Sequence, residues 1–123
     1  MDKRIFSTVA KKVLSGENRR TENISLAFVE KGEIKKLNKK FRNKNKPTDV
    51  LSFNLGERGY LGEIVICPEI VAGNAKKYGK TIKSEMIKVF VHGILHLLGY
   101  DHEKSKAEEV KMQEREEVYL SKI

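Results

Sequence analysis

The sequence predicts an α+β domain (mixed α/β), a small mixed sheet of three to four strands packed against one buried helix and several further helices. Three observations predict it. Strand-like and helix-like stretches interleave in the order α-β-α-β-β-α-α-α, which asks for one sheet with helices laid on it. The stretch from Ile82 to Leu98 is apolar nearly all round, as a central buried helix should be. The run from Leu61 to Cys67 is strongly apolar and reads as a strand, stopped by Pro68.

Each element has its own signal. Ile5, Val9 and Val13, with Phe6, Ala10 and Leu14, recur at helical spacing, and Ser15-Gly16 supplies a stop. Glu17 to Thr21 is polar and reads as a loop. Asn23 to Glu30 reads as a strand, with Ile24, Leu26 and Phe28 on one face. After Gly32, the spacing of Ile34, Leu37 and Phe41 predicts a second helix whose outer face carries lysines. Asn43 to Pro47 is a loop, because the residue before a proline is biased away from helix. Val50 to Phe53 is a strand, Gly56 to Tyr60 a turn, and Leu61 to Cys67 a strand stopped by Pro68, a good first residue for the next helix. Whether these two strands form a hairpin is left open by pattern alone. Ile70, Val71, Ala75 and Tyr78 define a helix ending near Gly79. Ile82, Met86, Val89, Phe90, Ile94, Leu95 and Leu98 define the long buried one. Glu103 to Ile123 reads as a charged terminal helix with a weak apolar stripe of Val110 and Val118, edged by Ala107 and Glu114.

With 123 residues and no repeat or linker, the expectation is one domain over residues 1–123, large enough for a core without staples. Hydrophobic content of 39% against 34% charged places the chain among well-charged globular proteins, and no apolar run approaches the ~20 residues of a membrane span. The N-terminus, Met1 to Ser7, lacks the apolar core of a secretory signal. Cys67 is the only cysteine, so no internal disulfide can form and no disulfide-linked partner is expected. Together these point to the cytoplasm.

The net charge of +8 is concentrated. Lys31, Lys35, Lys36, Lys39, Lys40, Arg42, Lys44 and Lys46 face one acid, Glu33, giving +7 within that segment. A patch of this kind attracts polyanions through phosphate contacts and counterion release, although a lysine-rich run is also the ordinary solvated face of a helix. The tail from Glu103 to Lys122 holds six acids and five bases and is close to neutral.

All three histidines lie between His92 and His102. His92 and His96 are four apart, so a helix stacks them on one face at roughly 5–6 Å between Cβ atoms, close enough to share a metal ion. Gly99 falls where the helix would end and enters the left-handed region cheaply, so the chain can fold His102 back to the same ion. Three imidazoles with one open position describe a catalytic zinc site rather than a closed structural one. One Zn2+ per chain is the expectation, and nickel or another divalent metal would also fit. Such an ion lowers the pKa of a bound water toward ~7 and acts as a Lewis acid.

One hydrolase class fits poorly. Zinc peptidases with two histidines four apart place a glutamate directly after the first, and that position here is Gly93. Phosphodiester cleavage asks instead for a cation against the developing phosphoryl charge, which an arginine meets bidentately. Arg42, before Pro47-Thr48-Asp49, is the candidate.

Phe41-Arg42, Pro47-Thr48-Asp49-Val50-Leu51-Ser52-Phe53, Leu61-Gly62-Glu63-Ile64-Val65-Ile66, and His92-Gly93 with His96-Leu97-Leu98-Gly99-Tyr100-Asp101-His102 together resemble the YbeY family of bacterial metal-dependent endoribonucleases. The motifs span residues 41 to 102 in the family's order. The resemblance implies a single-strand-specific endoribonuclease acting in small-subunit ribosomal RNA 3′-end maturation and ribosome quality control. It also implies zinc held by His92, His96 and His102, and an arginine important for cleavage at Arg42. The family usually has aspartate at Glu63 and an extra strand before the first helix, which this sequence lacks at its start.

The expected enzyme therefore cleaves single-stranded RNA, with ribosomal RNA or the small ribosomal subunit as the expected partner and Lys35, Lys39, Arg42, Lys44 and Lys46 holding the RNA backbone. The nucleophile is metal-activated water or the RNA 2′-hydroxyl. Two other classes stay open: a non-catalytic, metal-stabilised ribosome- or RNA-binding protein, and a zinc hydrolase of peptides or small amides. Asp101 and Glu103 read first as a turn aspartate and a helix-start glutamate, and second as partners of His102. Asp49 reads as a turn residue, Cys67 as packed, and Phe90, Leu95 and Leu98 as core.

Overall fold

The computed structural model describes residues 3–19, 21–57 and 59–123. Met1 and Asp2, Arg20 of the expected 17–21 loop and Arg58 of the expected 56–60 turn lie outside the described residues. The element order is α1 (Lys3–Gly16), β1 (Asn23–Phe28), α2 (Lys31–Arg42), β2 (Val50–Glu57), β3 (Tyr60–Ile66), α3 (Pro68–Lys77), α4 (Ile82–Leu97) and α5 (Lys106–Leu120). The α+β architecture and the order agree with the sequence reading. Among the described residues no helix is long and apolar enough to cross a membrane.

The sheet runs β1-β3-β2, with β1 parallel and β2 antiparallel to β3. β2 and β3 therefore form the hairpin that pattern left open, and β2 extends past Phe53 to Glu57. β3 is central, which is why its residues are apolar on both faces. Ile64 and Ile66 join the larger core with Phe6, Val9 and Val13 of α1 and most of α4, while Val65 and Cys67 join a smaller core under Ile34 of α2. The sheet thus separates α2 on one face from α1 and α4 on the other.

α4 buries ten of its 16 residues, among them Phe90, Ile94 and Leu95; Ile82 at its start is 51% exposed. At roughly 1.5–3 kcal/mol per large buried apolar side chain, this helix is the principal source of core stability. Its N-terminus is capped by Thr81, whose Oγ1 accepts from the Ser84 N–H at 3.0 Å. On the sheet side it comes unusually close. A Cβ at Gly93 would lie 3.1 Å from both Ile64 Cγ2 and Ser52 Oγ. Ser52 Oγ donates to the Gly93 carbonyl at 3.0 Å, and Asn54 Nδ2 to the Leu97 carbonyl at 2.8 Å.

Two expectations about faces are corrected. On α2 the residue turned inward beside Ile34 is Asn38, 1% exposed, whereas Phe41 is 56% exposed with its ring edge-on to Phe53 at 5.1 Å. Asn38 is held inside because its Nδ2 donates to the Lys46 carbonyl at 2.8 Å, tying down the loop before Pro47. On α5 the buried residues are Met112 and Tyr119, seven apart, while Val110 is 40% exposed and Ala107 and Glu114 are exposed. The helix starts at Lys106 rather than Glu103, because Ser105 caps it, accepting from the Glu108 N–H at 3.1 Å.

α5 is tied to the end of α1 by a carboxylate. Glu17 accepts from Tyr100 Oη at 2.7 Å, from Arg115 Nη2 at 2.8 Å and from Tyr119 Oη. Burial alone would raise the Glu17 carboxyl, but the hydrogen bonds from Tyr119, Tyr100 and Arg115 hold it below its ordinary value. Burial, and then the Glu17 contact, push the Tyr100 phenol up to about 12.

The packing sets two outcomes. Gly93→Leu forces side-chain atoms into the sheet and should cost about 1–3 kcal/mol in urea unfolding. Gly93→Ala should stay within about 1 kcal/mol of the parent, since the gain of ~1 kcal/mol in helix propensity offsets the tight Cβ contact. The Glu17 carboxyl, lowered in the fold, contributes stability that is present above the ordinary carboxylate range and lost as pH falls below that range through the lowered value, and Tyr100, raised in the fold, contributes stability that is lost as pH rises from about 10 toward 12. Melting temperature against pH should fall at both ends, with a smaller alkaline fall in Tyr100→Phe.

Candidate metal centre

His92 and His96 sit one helical turn apart near the C-terminal end of α4. The helix stops at Leu97, and Gly99 at φ +103° turns the chain so that His102 comes back over the same face. Asp101 accepts from the Glu103 N–H at 3.0 Å, the turn role expected of it. The three rings stand 4.8, 5.1 and 4.9 Å apart between centroids, and one ligand atom from each lies within 4.8 Å of the others. His96 Nε2 is 2.9 Å from His102 Nδ1.

This geometry can hold a metal ion. The donors are three imidazoles with no thiolate, a set that suits zinc and also accommodates other divalent first-row metals. Burial, and then the neighbouring His92 and His102 charges, lower His96 to about 4, so it is neutral at pH 7 with a lone pair available.

The rings open into a cleft of about 810 Å3. One wall comes from α4, where Glu85, Lys88, His92 and His96 follow helical spacing along one stripe. Ser52 and Asn54 of β2 and Thr48 and Asp49 of the preceding loop contribute a second wall, and Glu116 of α5 a third. Asp49 accepts from Thr48 Oγ1 at 3.3 Å, a local turn contact.

Arg42 reaches the cleft rim from the end of α2. Its Nη2 donates to Glu103 Oε1 at 2.6 Å, and that carboxylate lies 3.8 Å from His102 Nε2 and 3.9 Å from Lys44 Nζ. The hydrogen bond from Arg42, then its charge, hold the Glu103 carboxyl below its ordinary value. Glu103 is therefore no helix-start residue; it bridges the expected arginine to the third histidine. Lys35, Lys39, Lys44 and Lys46 are exposed and stand outside the cleft wall, so the structure brings Arg42 to the histidines but leaves the four lysines on the flanking surface.

Among the wall residues that the sequence reading missed are two carboxylates, Glu85 and Glu116. Glu85, 9% exposed, is seven before His92, and that stripe spacing is the signal that would have found it. Glu116, whose Oε1 contacts His92 Nδ1, follows a 24-residue separation and carries no local signal.

A family model described as endoribonuclease YbeY matches residues 1–123. A Bdellovibrio bacteriovorus relative named endoribonuclease YbeY is 48% identical over 102 residues, covering 83% of this chain and 67% of the relative. One of the same name from Thermotoga neapolitana is 46% identical over 101 residues, covering 82% and 67%. A solution structure from Thermotoga maritima matches with a TM-score of 0.70 and 37% identity, over 95% of this chain and 77% of that one.

The imidazole cluster should take up one zinc ion and be stabilised by it. Melting temperature should rise by several degrees with zinc in excess of the dissociation constant, since ligand at 100-fold that constant adds about 2.7 kcal/mol. His96→Ala should abolish the shift in an untagged protein, with differential scanning fluorimetry as the readout.

Proposed function

The chain belongs to the endoribonuclease YbeY family, and from that premise we propose that it is a zinc-dependent, single-strand-specific endoribonuclease. Its proposed place is small-subunit ribosomal RNA 3′-end maturation and ribosome quality control, in the cytoplasm, with residues 1–123 acting as one domain. The observation that carries the reading is the meeting of three imidazoles in one cleft with a guanidinium at its rim.

His92, His96 and His102 would hold the ion. When bound, it supplies Lewis-acid polarisation and an activated water near neutral pH. Arg42 meets the charge that develops on the phosphoryl oxygens, where a preorganised guanidinium acts more strongly than in bulk water. Lys44 and Lys46, on the loop after Arg42, and Lys35 and Lys39, on the exposed face of α2, hold the flanking backbone phosphates.

The sheet contact at Gly93 speaks against the peptide-hydrolase reading. A side chain at position 93 would meet Ile64 and Ser52, so the general-base position of the zinc peptidases faces the sheet here and not the cleft.

The test is cleavage of an end-labelled single-stranded RNA by purified, untagged protein. Wild type should cut, and chelator or His96→Ala should abolish cutting. Arg42→Ala should retain zinc and lose about 10²–10³-fold in rate, the loss typical of removing one charge-stabilising donor. Salt-sensitive RNA binding without cleavage would leave the non-catalytic RNA-binding class, and digestion of casein without RNA cleavage would leave the peptide hydrolase.

A further inference from the structure

We infer that Glu116 is a positioning residue for the metal site: its carboxylate accepts the Nδ1 proton of His92, so that His92 presents Nε2 to the ion. The inference rests on the reading of the imidazole cluster as a metal centre.

The observation is a contact between groups 24 residues apart. His92 Nδ1 and Glu116 Oε1 are in hydrogen-bond contact, and their side chains are 28% and 13% exposed. Of the three histidines, among the described residues, only His92 has such a partner. Glu103 stands 3.8 Å from His102, is 51% exposed, and is engaged by Arg42. His96 faces His102 itself.

A neutral imidazole has one N–H and one lone pair. A carboxylate accepts hydrogen bonds only, so Glu116 retains the tautomer with the proton on Nδ1 and leaves the lone pair on Nε2. It also fixes the ring's rotation and makes the ligand nitrogen more basic. The carboxylate is itself held in place. Its neighbour Arg115 donates to Glu17 at 2.8 Å, and Met112 and Tyr119 on the same helix are 1% and 2% exposed. α5 thereby becomes part of the metal centre although it contributes no ligand.

Two other roles would use the same contact differently. Glu116 could coordinate the ion as a fourth ligand and close the site, or it could merely fasten α5 to α4. The experiment separates all three. Zinc affinity of untagged wild type, Glu116→Gln and Glu116→Ala is measured by competition with a chromophoric chelator. The absorption spectrum of each Co2+-loaded protein and the melting temperature of each metal-free protein are recorded alongside.

The expected result for Glu116→Ala is zinc affinity lower by about 10–100-fold, the range for partners that orient a metal-bound histidine. Glu116→Gln, whose amide oxygen still accepts from Nδ1, should fall between it and wild type. The Co2+ band positions should be shared by all three proteins. Affinities equal within threefold would overturn the inference, even if metal-free melting falls, because a helix tether alone predicts that pattern. Co2+ bands that shift on substitution would overturn it in favour of direct ligation. Wild type that binds no metal would overturn both this inference and the nuclease reading. Wild type that binds zinc without cutting RNA would overturn only the latter, since affinity is measured without RNA.

Discussion

The close seating of α4 on the sheet governs everything else in this molecule. With glycine at position 93, the helix backbone comes down onto Ile64 and Ser52, and hydrogen bonds from Ser52 and Asn54 fix its rotation. At 100° per residue, a helix that points position 93 at the sheet turns 92 and 96 to the same flank, roughly 100° and 60° away. That flank faces past β2, which is an edge strand, so the imidazoles look out over open space instead of into another layer. The same rotation buries Phe90, Ile94 and Leu95 in the core. One helix thus supplies both the central apolar mass of the fold and two of the three imidazoles, and it does so because no side chain keeps it away from the sheet.

The third imidazole and its surroundings depend on how the chain returns. Gly99 makes the turn, and Ser105 delays the start of α5 until the chain has cleared the cleft. α5 then packs through Met112 and Tyr119 and is fastened to α1 by the Glu17 cluster. That cluster is polar and partly buried, a setting in which satisfied hydrogen bonds to a charged group are each worth about 1.5–3 kcal/mol. It is strong enough to set the position of α5, and with it the position of Glu116 beside His92. The imidazole cluster and the carboxylate beside it are assembled from α4, a loop and a terminal helix whose anchor, Glu17, is far from the cluster in sequence.

Much of this was legible in the sequence because the signals are local. Helical spacing, strand alternation and Pro68 gave the element order, and the histidine spacing with Gly99 gave the cluster. Arg42 is a candidate on chemical grounds, but only the resemblance sets it apart, since a cation in a basic run looks like any surface charge. What escaped was non-local. Asn38 breaks the apolar spacing of α2 yet is buried, because its partner is a carbonyl eight residues on. Tyr119 is buried because its hydroxyl meets Glu17, which no periodicity records. Glu103 was placed at a helix start because charge and spacing allowed it. Ser105 and Glu108, three apart, carried the better signal for where that helix begins.

The charge distribution has a physical logic of its own. A guanidinium at a cleft rim can be fixed by a neighbouring acid either tightly or through a contact that exchanges readily. Here the acid that meets Arg42 is Glu103, and the two side chains are 38% and 51% exposed. Ion pairs in that setting contribute only about 0.2–1 kcal/mol. The guanidinium is therefore held by a single half-exposed contact weak enough to exchange for another anion, which under the proposed function would be a phosphate, whose oxygens can take an arginine bidentately. The lysines on α2 and the following loop add no such geometry. They stand outside the cleft, and their effect is the long-range attraction of a surface carrying excess positive charge, which salt screens over about 10 Å at 0.1 M. Under the proposed function the specific cation and the diffuse ones would have separate physical jobs: one oriented at the site, the others raising the local concentration of polyanion around it.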